Sequence, residues 1–230
     1  MKRSNIELSK RVLFEDNHLL VIDKLSGELA QGDITGDEDV LIKAKRYIAE
    51  TYQKPGNVFI GLPHRLDRVT SGVLVLCRTG KALSRVSESF KNREPDKYYR
   101  CLVEGRLEPT RAMVEHFLQK NAKMNKSFCV GKESQDSKQA RLQYEVLHYF
   151  DRYTFVEVKL LTGRHHQIRA QLSALGHPIK GDVKYGARRS NKDGGICLHS
   201  YRIELNHPVK KESINILSEI DFLSSWGFSL

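Results

Sequence analysis

The chain has 230 residues, of which 40% are hydrophobic and 29% are charged. This balance argues against intrinsic disorder, and the length suffices for a sizeable core. There is no run of about 18 apolar residues, and no apolar segment follows the basic residues at the start, which argues against a membrane-spanning helix and a signal peptide. We therefore expect a cytoplasmic protein that does not bind a membrane.

The formal net charge is +10, and the excess of basic residues is concentrated in two segments of the second half. Residues 164–192 contain seven Lys or Arg against one acid, and residues 120–141 contain six against two. Lys and Arg gain binding free energy by neutralising phosphates and releasing their counterions. The distribution predicts a polyanionic partner that binds in a basic groove.

The first half of the chain predicts short, alternating elements. Residues 11–23 read as two strands around an Asp-Asn turn. A helix capped by Asp37 follows, with its apolar residues on one face between 40 and 48. Residues 73–76 form a buried strand, and a second helix begins at Thr79 or Gly80 and is closed by a proline at position 95.

The second half predicts more strands than helices. β-Branched and aromatic residues favour strands at 98–104, 141–149, 153–161 and 197–205. Asp151 and Arg152 make the link between the second and third of these resemble a hairpin turn. One helix is predicted over 166–175 and a last amphipathic one around Ile216, Ile220 and Leu223, whereas 107–137 is polar and basic and has no assignment.

The order of these elements indicates the fold class. Strands and helices are mixed without regular βαβ alternation, and no linker, repeat or low-complexity segment interrupts them. This pattern favours an α+β fold, with a mixed, mainly antiparallel sheet flanked by helices. We expect a single domain over residues 1–230.

The most informative motif is HRLDRVTSG at residues 64–72, followed by a buried strand. It places the Asp67 carboxylate between Arg65 and Arg68, at the mouth of a turn. Neighbouring cations favour the ionised form of a carboxylate, which suits a nucleophile or a base and does not suit an acid. Taken alone, Asp67 fits a surface ion pair with either arginine better than it fits a catalytic role, and the other motifs reverse this preference.

Two further motifs carry polar groups next to apolar ones. KYYRCLVEG at 97–105 is an amphipathic strand, in which a half-buried tyrosine is the ordinary outcome. LTGRHHQIR at 161–169 predicts a helix with His165 and His166 one turn from Arg169. This cationic face is either a solvated helix end or the source of a charge-assisted bond from Arg169 to Asp67.

Together the three motifs closely resemble those of the RluA family of RNA pseudouridine synthases, and the resemblance runs from about residue 10 to about residue 210. It implies an isomerase that converts uridine to pseudouridine in ribosomal or transfer RNA, without a metal or another cofactor. By resemblance Asp67 is the catalytic residue, and Tyr99 rather than Tyr98 lies against the target base. Arg169 matches the arginine that pairs with the catalytic aspartate.

The resemblance also suggests how RNA is bound. The target uridine must leave the base stack, and Arg65 would fill the gap that it leaves. Ile168 and Leu172 would form an apolar wall beside the flipped base. The full set of expected RNA and base contacts is His64, Arg65, Arg68, Arg164, His166, Ile168 and Leu172. The protein is expected to act as a monomer.

The chain departs from the family pattern at a few positions. The first family motif usually has a proline after its lysine, whereas Leu25 follows Lys24 here. His165 replaces the usual threonine, and Ala170-Gln171 replaces an apolar residue and a histidine. Since about ten residues precede the matching region, we expect a form without the N-terminal S4 module of some relatives. The catalytic domain would then bind RNA by itself.

Two other classes of function fit parts of the sequence. A non-catalytic RNA-binding module would explain the charge and the aromatic residues, but it has no need for Asp67, Tyr99 and Arg169 together. A metal-dependent hydrolase would draw ligands from the nine histidines and Asp67. His165 and His166 are adjacent, however, and cannot share one helical face as an i, i+4 pair of ligands does.

Overall fold

The computed structural model describes residues 7–32 and 36–230. Its strands are β1 Val12–Glu15, β2 Leu19–Lys24, β3 Ser71–Cys77, β4 Asp96–Glu104, β5 Arg111–Asn121, β6 Lys126–Val130, β7 Ser137–Tyr149, β8 Tyr153–Leu160, β9 Leu198–Asn206 and β10 Ser213–Leu217. Its α-helices are α1 Val40–Thr51, α2 Gly80–Asn92, α3 Gln167–Ala174 and α4 Phe222–Ser225. The chain divides into two compact units, Met1–Pro95 with Ser200–Glu219 and Asp96–His199 with Ile220–Leu230. The expectation of a single domain stays a prediction.

The first unit is built on the strand order β1, β2, β3, β9, with β10 paired to β9. The pairs β1–β2, β2–β3 and β9–β10 are antiparallel. Apolar side chains of the strands and of α2 form one buried core cluster: Leu19, Val21, Val73, Val75, Cys77, Ala82, Val86, Ile203, Leu205 and Ile216. Burial of this apolar surface is the main force that holds β3, and with it the end of the 64–72 motif, in place.

Two details of the first unit differ from the sequence predictions. The N-cap of α1 is Asp39, whose side chain accepts a hydrogen bond from the Ile42 N–H, whereas the predicted cap, Asp37, forms an ion pair with Arg68. The helix predicted around Ile216, Ile220 and Leu223 is wrong at Ile216, because Ser213–Leu217 is a strand in which Ile216 lies opposite Ile203. β9 offers its edge to this segment, and the segment buries only Ile216 in an alternating pattern. Of Ile216, Ile220 and Leu223, only Leu223 lies in a helix, the short α4.

The second unit contains the strand order β4, β8, β7, β5, β6, and every neighbouring pair in it is antiparallel. The predicted strands and the hairpin at Asp151-Arg152 are confirmed. Much of the unassigned segment 107–137 forms the β5–β6 hairpin, which the sequence analysis missed. In β5 only Val114 and Leu118 are buried, so basic and polar residues mask the strand alternation.

The prediction of an α+β fold with a mainly antiparallel sheet and flanking helices is confirmed. The helices predicted in the first half and over 166–175 occur as α1, α2 and α3. In residues 7–32 and 36–230, no helix has the length and apolar character needed to cross a membrane.

Candidate active site

Asp67 lies in a short turn between two buried neighbours. Leu66 and Thr70 are buried on either side of it, and the Asp67 side chain is partly exposed. The Thr70 N–H donates to the Asp67 carbonyl oxygen at 3.0 Å, which closes the turn. Gly72 then starts β3 with φ +113°, and a Cβ there would lie 2.2 Å from the Ser200 carbonyl oxygen. Only glycine fits this close approach of two backbones.

The loop of residues 24–28 supports the turn that follows Asp67. The Gly27 N–H donates to the Arg68 carbonyl oxygen at 2.7 Å, and the Ser26 hydroxyl donates to the Val69 carbonyl oxygen at 3.0 Å. The Arg68 Nε in turn donates to the Gly27 carbonyl oxygen at 3.0 Å. The backbone of the turn is therefore held from one side by a neighbouring loop.

Lys24 is fully buried where the loop and the turn meet. Its Nζ donates to the carbonyl oxygens of Leu25, Glu28 and Arg68 at 3.0, 2.9 and 3.3 Å. Burial lowers the pKa of Lys24 to about 7, although the carboxylates of Glu28 and Asp67 act in the opposite direction. Three carbonyl acceptors require three N–H donors, which only the ammonium form has. The arrangement therefore favours a buried cation close to Asp67.

The Glu28 carboxylate, next to this cation, accepts a network of charged hydrogen bonds. Arg11 donates to the two Glu28 carboxylate oxygens at 2.7 and 3.1 Å, and the Lys43 Nζ donates at 2.7 Å. The Leu25 N–H donates to the same carboxylate at 2.9 Å. Burial alone would raise the pKa of Glu28, but the hydrogen bonds from Arg11 and Lys43 outweigh it and lower the pKa to about 2. Leu25 stands where the family usually has proline. Its N–H, which a proline would lack, donates to Glu28.

The other predicted residues of this motif have different environments. His64 accepts a hydrogen bond at Nε2 from the Val75 N–H at 3.0 Å, and its ring stacks on Phe90 with the centroids 4.5 Å apart. Arg65 and Arg68 are exposed, and the Arg68 guanidinium is 2.7 Å from the Asp37 carboxylate. His64 therefore ties the motif to β3 and α2. RNA contacts of these three residues stay predictions.

Tyr99 lies on the buried face of β4, opposite Val158 in β8. Its side chain is 8% exposed, and it shares this face with Lys97 and Cys101. Tyr98 faces the other side of the strand, where the Lys159 Nζ lies 5.2 Å from its ring centroid. Of the two adjacent tyrosines, Tyr99 is therefore the buried one, and its contact with the target base stays a prediction.

Arg169 is buried in α3 and paired with Asp182. Its Nε and Nη2 donate to the two carboxylate oxygens at 2.6 and 2.9 Å, which is a bidentate geometry. Sequence reasoning did not give Asp182 a role, although it is the one acid in the basic stretch 164–192. A buried arginine needs a carboxylate, so this isolated acid was the signal that could have identified the pair. The predicted bond from Arg169 to Asp67 stays a prediction.

The segment before α3 contributes a second set of contacts at Tyr185. His166 has φ +53° and immediately precedes α3, so the two adjacent histidines lie before the helix and not within it as predicted. The His166 Nδ1 is 3.0 Å from the Tyr185 hydroxyl, and the Arg169 guanidinium lies 4.9 Å from the same ring. Tyr185 thus brings together two of the predicted site residues.

The remaining predicted residues of this segment, Arg164, Ile168 and Leu172, belong to the second unit. The partly buried Arg164 donates from Nε to the Gln139 carbonyl oxygen at 2.9 Å. Ile168 is 4% exposed, and Leu172 is fully enclosed. Contact of Leu172 with a base would require neighbouring side chains to move, and this contact stays a prediction. Among the described residues, no three His, Cys, Asp or Glu side chains are grouped to bind a metal ion.

Comparison with known proteins identifies a family. A family model described as RNA pseudouridylate synthase matches residues 18–174. A ribosomal large subunit pseudouridine synthase C from Vibrio parahaemolyticus is 31% identical over 216 residues, which is 91% of this chain and 65% of the relative. A ribosomal large subunit pseudouridine synthase D from Borreliella burgdorferi is 30% identical over 210 residues, or 90% and 63%. The chain spans slightly less than two thirds of the length of these two relatives.

A solved structure supports the assignment of the fold. The human protein called RNA pseudouridylate synthase domain containing 4 superposes with a TM-score of 0.78 over 93% of this chain and 89% of that chain. The two sequences are 24% identical. At this identity, the likeness is one of fold.

Proposed function

Since this chain belongs to the RNA pseudouridylate synthase family, we propose that it isomerises uridine to pseudouridine in RNA, with Asp67 as the catalytic residue. The observation that carries this proposal is the Asp67 turn itself. Its carboxylate is partly exposed, the backbone of the turn is held by hydrogen bonds from the loop of residues 24–28, and the buried Lys24 ammonium lies near it. A fixed carboxylate with a neighbouring cation is suited to act in its ionised form.

In this reaction the bond between C1′ and N1 of the uridine breaks, the uracil rotates, and a new bond joins C1′ to C5. Asp67 either attacks C1′ or removes the C2′ proton to give a glycal, and both routes require an ionised carboxylate. The C5 proton is finally lost while N1 gains one, so the composition of the nucleotide does not change. Tyr99 would lie against the base and assist the loss of the C5 proton.

Arg169 would orient the Asp67 carboxylate, as the family resemblance suggests. The bidentate pair with Asp182 supports such a role, because it fixes the guanidinium plane inside the second unit. Asp182 is then a positioning residue that acts through Arg169.

The proposed substrate class is ribosomal RNA, with transfer RNA as the alternative. The names of the Vibrio and Borreliella relatives favour large-subunit ribosomal RNA. Flipping the target uridine costs a few kcal/mol, which contacts of basic residues with the RNA backbone would offset. Action as a monomer, without a cofactor and in the cytoplasm, stays a prediction from the sequence.

Tritium release tests this function directly. RNA containing 5-tritiated uridine, prepared separately as ribosomal and transfer RNA from cells lacking the enzyme, is incubated with the wild type and with Asp67→Ala. We expect release with the wild type from one of the two pools, and none above background with Asp67→Ala. The matched control is Asp151→Asn, which changes an exposed acid in the β7–β8 turn and should release tritium like the wild type.

Substantial release by Asp67→Ala would contradict the role of Asp67. Absence of release from both pools by a folded wild-type protein that binds RNA would favour the non-catalytic RNA-binding module.

A further inference from the structure

Lys24 binds carbonyl oxygens from two segments of the first unit, and its number of N–H donors decides how many of them it can bind. The Leu25 and Glu28 carbonyl oxygens belong to its own loop, whereas the Arg68 carbonyl oxygen belongs to the turn that contains Asp67. The contact with Arg68 is the longest of the three, at 3.3 Å, and therefore the weakest. An ammonium has three N–H donors, and a neutral amine has two. When Lys24 loses its proton, the bond to the turn is thus the first to be lost.

Charged side chains from three segments act on Lys24. Glu28 in its own loop and Asp67 in the turn favour the ammonium form, whereas Arg11 before β1 and Arg68 in the turn oppose it. Glu28 has the larger effect of the two carboxylates, and its side chain is buried, whereas that of Asp67 is partly exposed. Charges interact most strongly where water does not screen them. The charge of Lys24 therefore depends mainly on Glu28.

Lys43 in α1 limits how much of the Glu28 charge acts on Lys24. The Lys43 Nζ lies 2.7 Å from the Glu28 carboxylate, and the Lys43 side chain is 20% exposed. Its positive charge compensates part of the negative charge of Glu28 and also repels Lys24. A neutral side chain at position 43 would therefore strengthen the attraction of Glu28 for the Lys24 ammonium. A neutral side chain at position 28 would have the opposite effect, because it removes that attraction.

We propose that Glu28 is a positioning residue for the reaction at Asp67. Its carboxylate keeps Lys24 in the ammonium form, and this form alone has the third N–H that binds the turn at the Arg68 carbonyl oxygen. The rate then falls at alkaline pH, because Lys24 loses its proton and the turn loses this bond. The inference rests on the proposed function for the identity of the reaction. It uses a position at which the chain departs from the family, since the Leu25 N–H that binds Glu28 is absent from a proline.

The pH dependence of kcat for tritium release separates this role from a merely structural one. Glu28→Gln keeps the size of the side chain and removes its charge, so Lys24 should lose its proton at a pH lower by about one unit. The ratio of the wild-type kcat to that of Glu28→Gln should then grow roughly five- to tenfold between pH 5.5 and pH 8. Lys43→Gln should move the alkaline fall in kcat to higher pH. The matched control is Lys45→Gln, an exposed lysine of the same helix, which should not move it.

The protonation of Lys24 is also measurable without turnover. Protein labelled with lysine that carries carbon-13 at Cε is titrated by NMR, and the Lys24 signal is assigned by its absence in Lys24→Arg. The midpoint of this signal should coincide with the alkaline fall in kcat of the wild type. It should be lower in Glu28→Gln and higher in Lys43→Gln. If Glu28→Gln does not fold cooperatively, the shift in Lys43→Gln still tests the inference, because that side chain is partly exposed and bears less on stability.

The outcomes distinguish this inference from the proposed function. If the wild type releases no tritium while the Lys24 midpoint moves in opposite directions in the two variants, the control of Lys24 by Glu28 stands and the catalytic proposal falls. If the wild type releases tritium and its alkaline fall in kcat stays in place in both variants, the inference is overturned. A loss of kcat in Glu28→Gln by the same factor at every pH would also overturn it, because Glu28 would then have a structural role alone.

Discussion

The loop that supports the Asp67 turn and the β5–β6 hairpin both carry cationic side chains, but those of the support are buried and those near the hairpin tip are exposed. In the support, Arg11 and Lys24 are buried, and they bind the Glu28 carboxylate and backbone carbonyl oxygens of the protein itself. On the β5–β6 hairpin, Lys120 and Lys123 are exposed within residues 116–132, which contain no acid. The first arrangement fixes a backbone, and the second leaves its charges in contact with solvent.

This difference predicts which property a substitution in each region should change. A buried charge that loses its partner destabilises the fold, because the remaining charge stays desolvated. Removal of an exposed lysine or of an exposed ion pair costs the fold little, because these groups are solvated in both states. Changes in the support should therefore lower stability and kcat, and changes on the β5–β6 hairpin should leave stability nearly unchanged.

The largest contrast in stability is expected between two glycines, one in each region. Gly72→Ala places a Cβ 2.2 Å from the Ser200 carbonyl oxygen at φ +113°, so β3 or β9 must shift. We expect the free energy of unfolding to fall by more than about 3 kcal/mol. Gly131→Ala, just after the β5–β6 hairpin, has open space around it and should stay within about 0.5 kcal/mol of the wild type.

Urea unfolding of both variants at pH 7 makes the comparison. Equal stabilities of Gly72→Ala and Gly131→Ala would show that the close approach of Gly72 to Ser200 is relieved without cost, and would contradict a rigid start of β3.

Two salt bridges give the next contrast. Glu28→Gln removes the charge that compensates the buried Arg11, and we expect a loss of roughly 3–5 kcal/mol in unfolding free energy. Arg111→Gln removes an exposed pair between Arg111 in β5 and Glu145 in β7, and we expect a loss of less than about 1 kcal/mol. Denaturant midpoints at constant slope report both losses. Similar losses in the two variants would mean that burial does not distinguish the two regions.

Much of the fold and of the candidate site follows from the sequence alone, because local patterns carry it. The turn at Asp67 is specified by Ser71 and Gly72 before an apolar run, and Tyr99 occupies an inward position of a strand with clear alternation. Thr79 marks the start of α2 and caps it through the Ala82 N–H. These features depend on neighbours within a few residues.

Features that depend on distant partners were beyond such reasoning. Arg11 and Glu28 are 17 residues apart, and nothing local reveals that they meet in the interior. Ser213–Leu217 resembles an amphipathic helix until the edge of β9 makes it a strand. The β5–β6 hairpin was missed because a strand that exposes lysines lacks the apolar alternation by which strands are detected.

The smallest expected difference between the two regions lies in how the free energy of unfolding changes at acidic pH. The pKa of Glu28 is lowered to about 2 in the fold, from 4.5 when the chain is unfolded. Because folding lowers this pKa, the ionised Glu28 stabilises the fold above pH 4.5, and this stabilisation is lost as the pH falls through about 2. Its full size is about 3 kcal/mol. The wild type should therefore lose more stability between pH 5 and pH 2.5 than Glu28→Gln does.

Unfolding free energies of both proteins at pH 5, 3.5 and 2.5 measure this difference, with Glu145→Gln on the exposed pair as the control. Glu145→Gln leaves Glu28 and its partners in place, so this variant should keep the acid-dependent loss of stability that Glu28 causes. Parallel curves for Glu28→Gln and the wild type would show that Glu28 is not the ionised anchor of Arg11, and the support of Asp67 would then have to rest on Lys24 and the backbone alone.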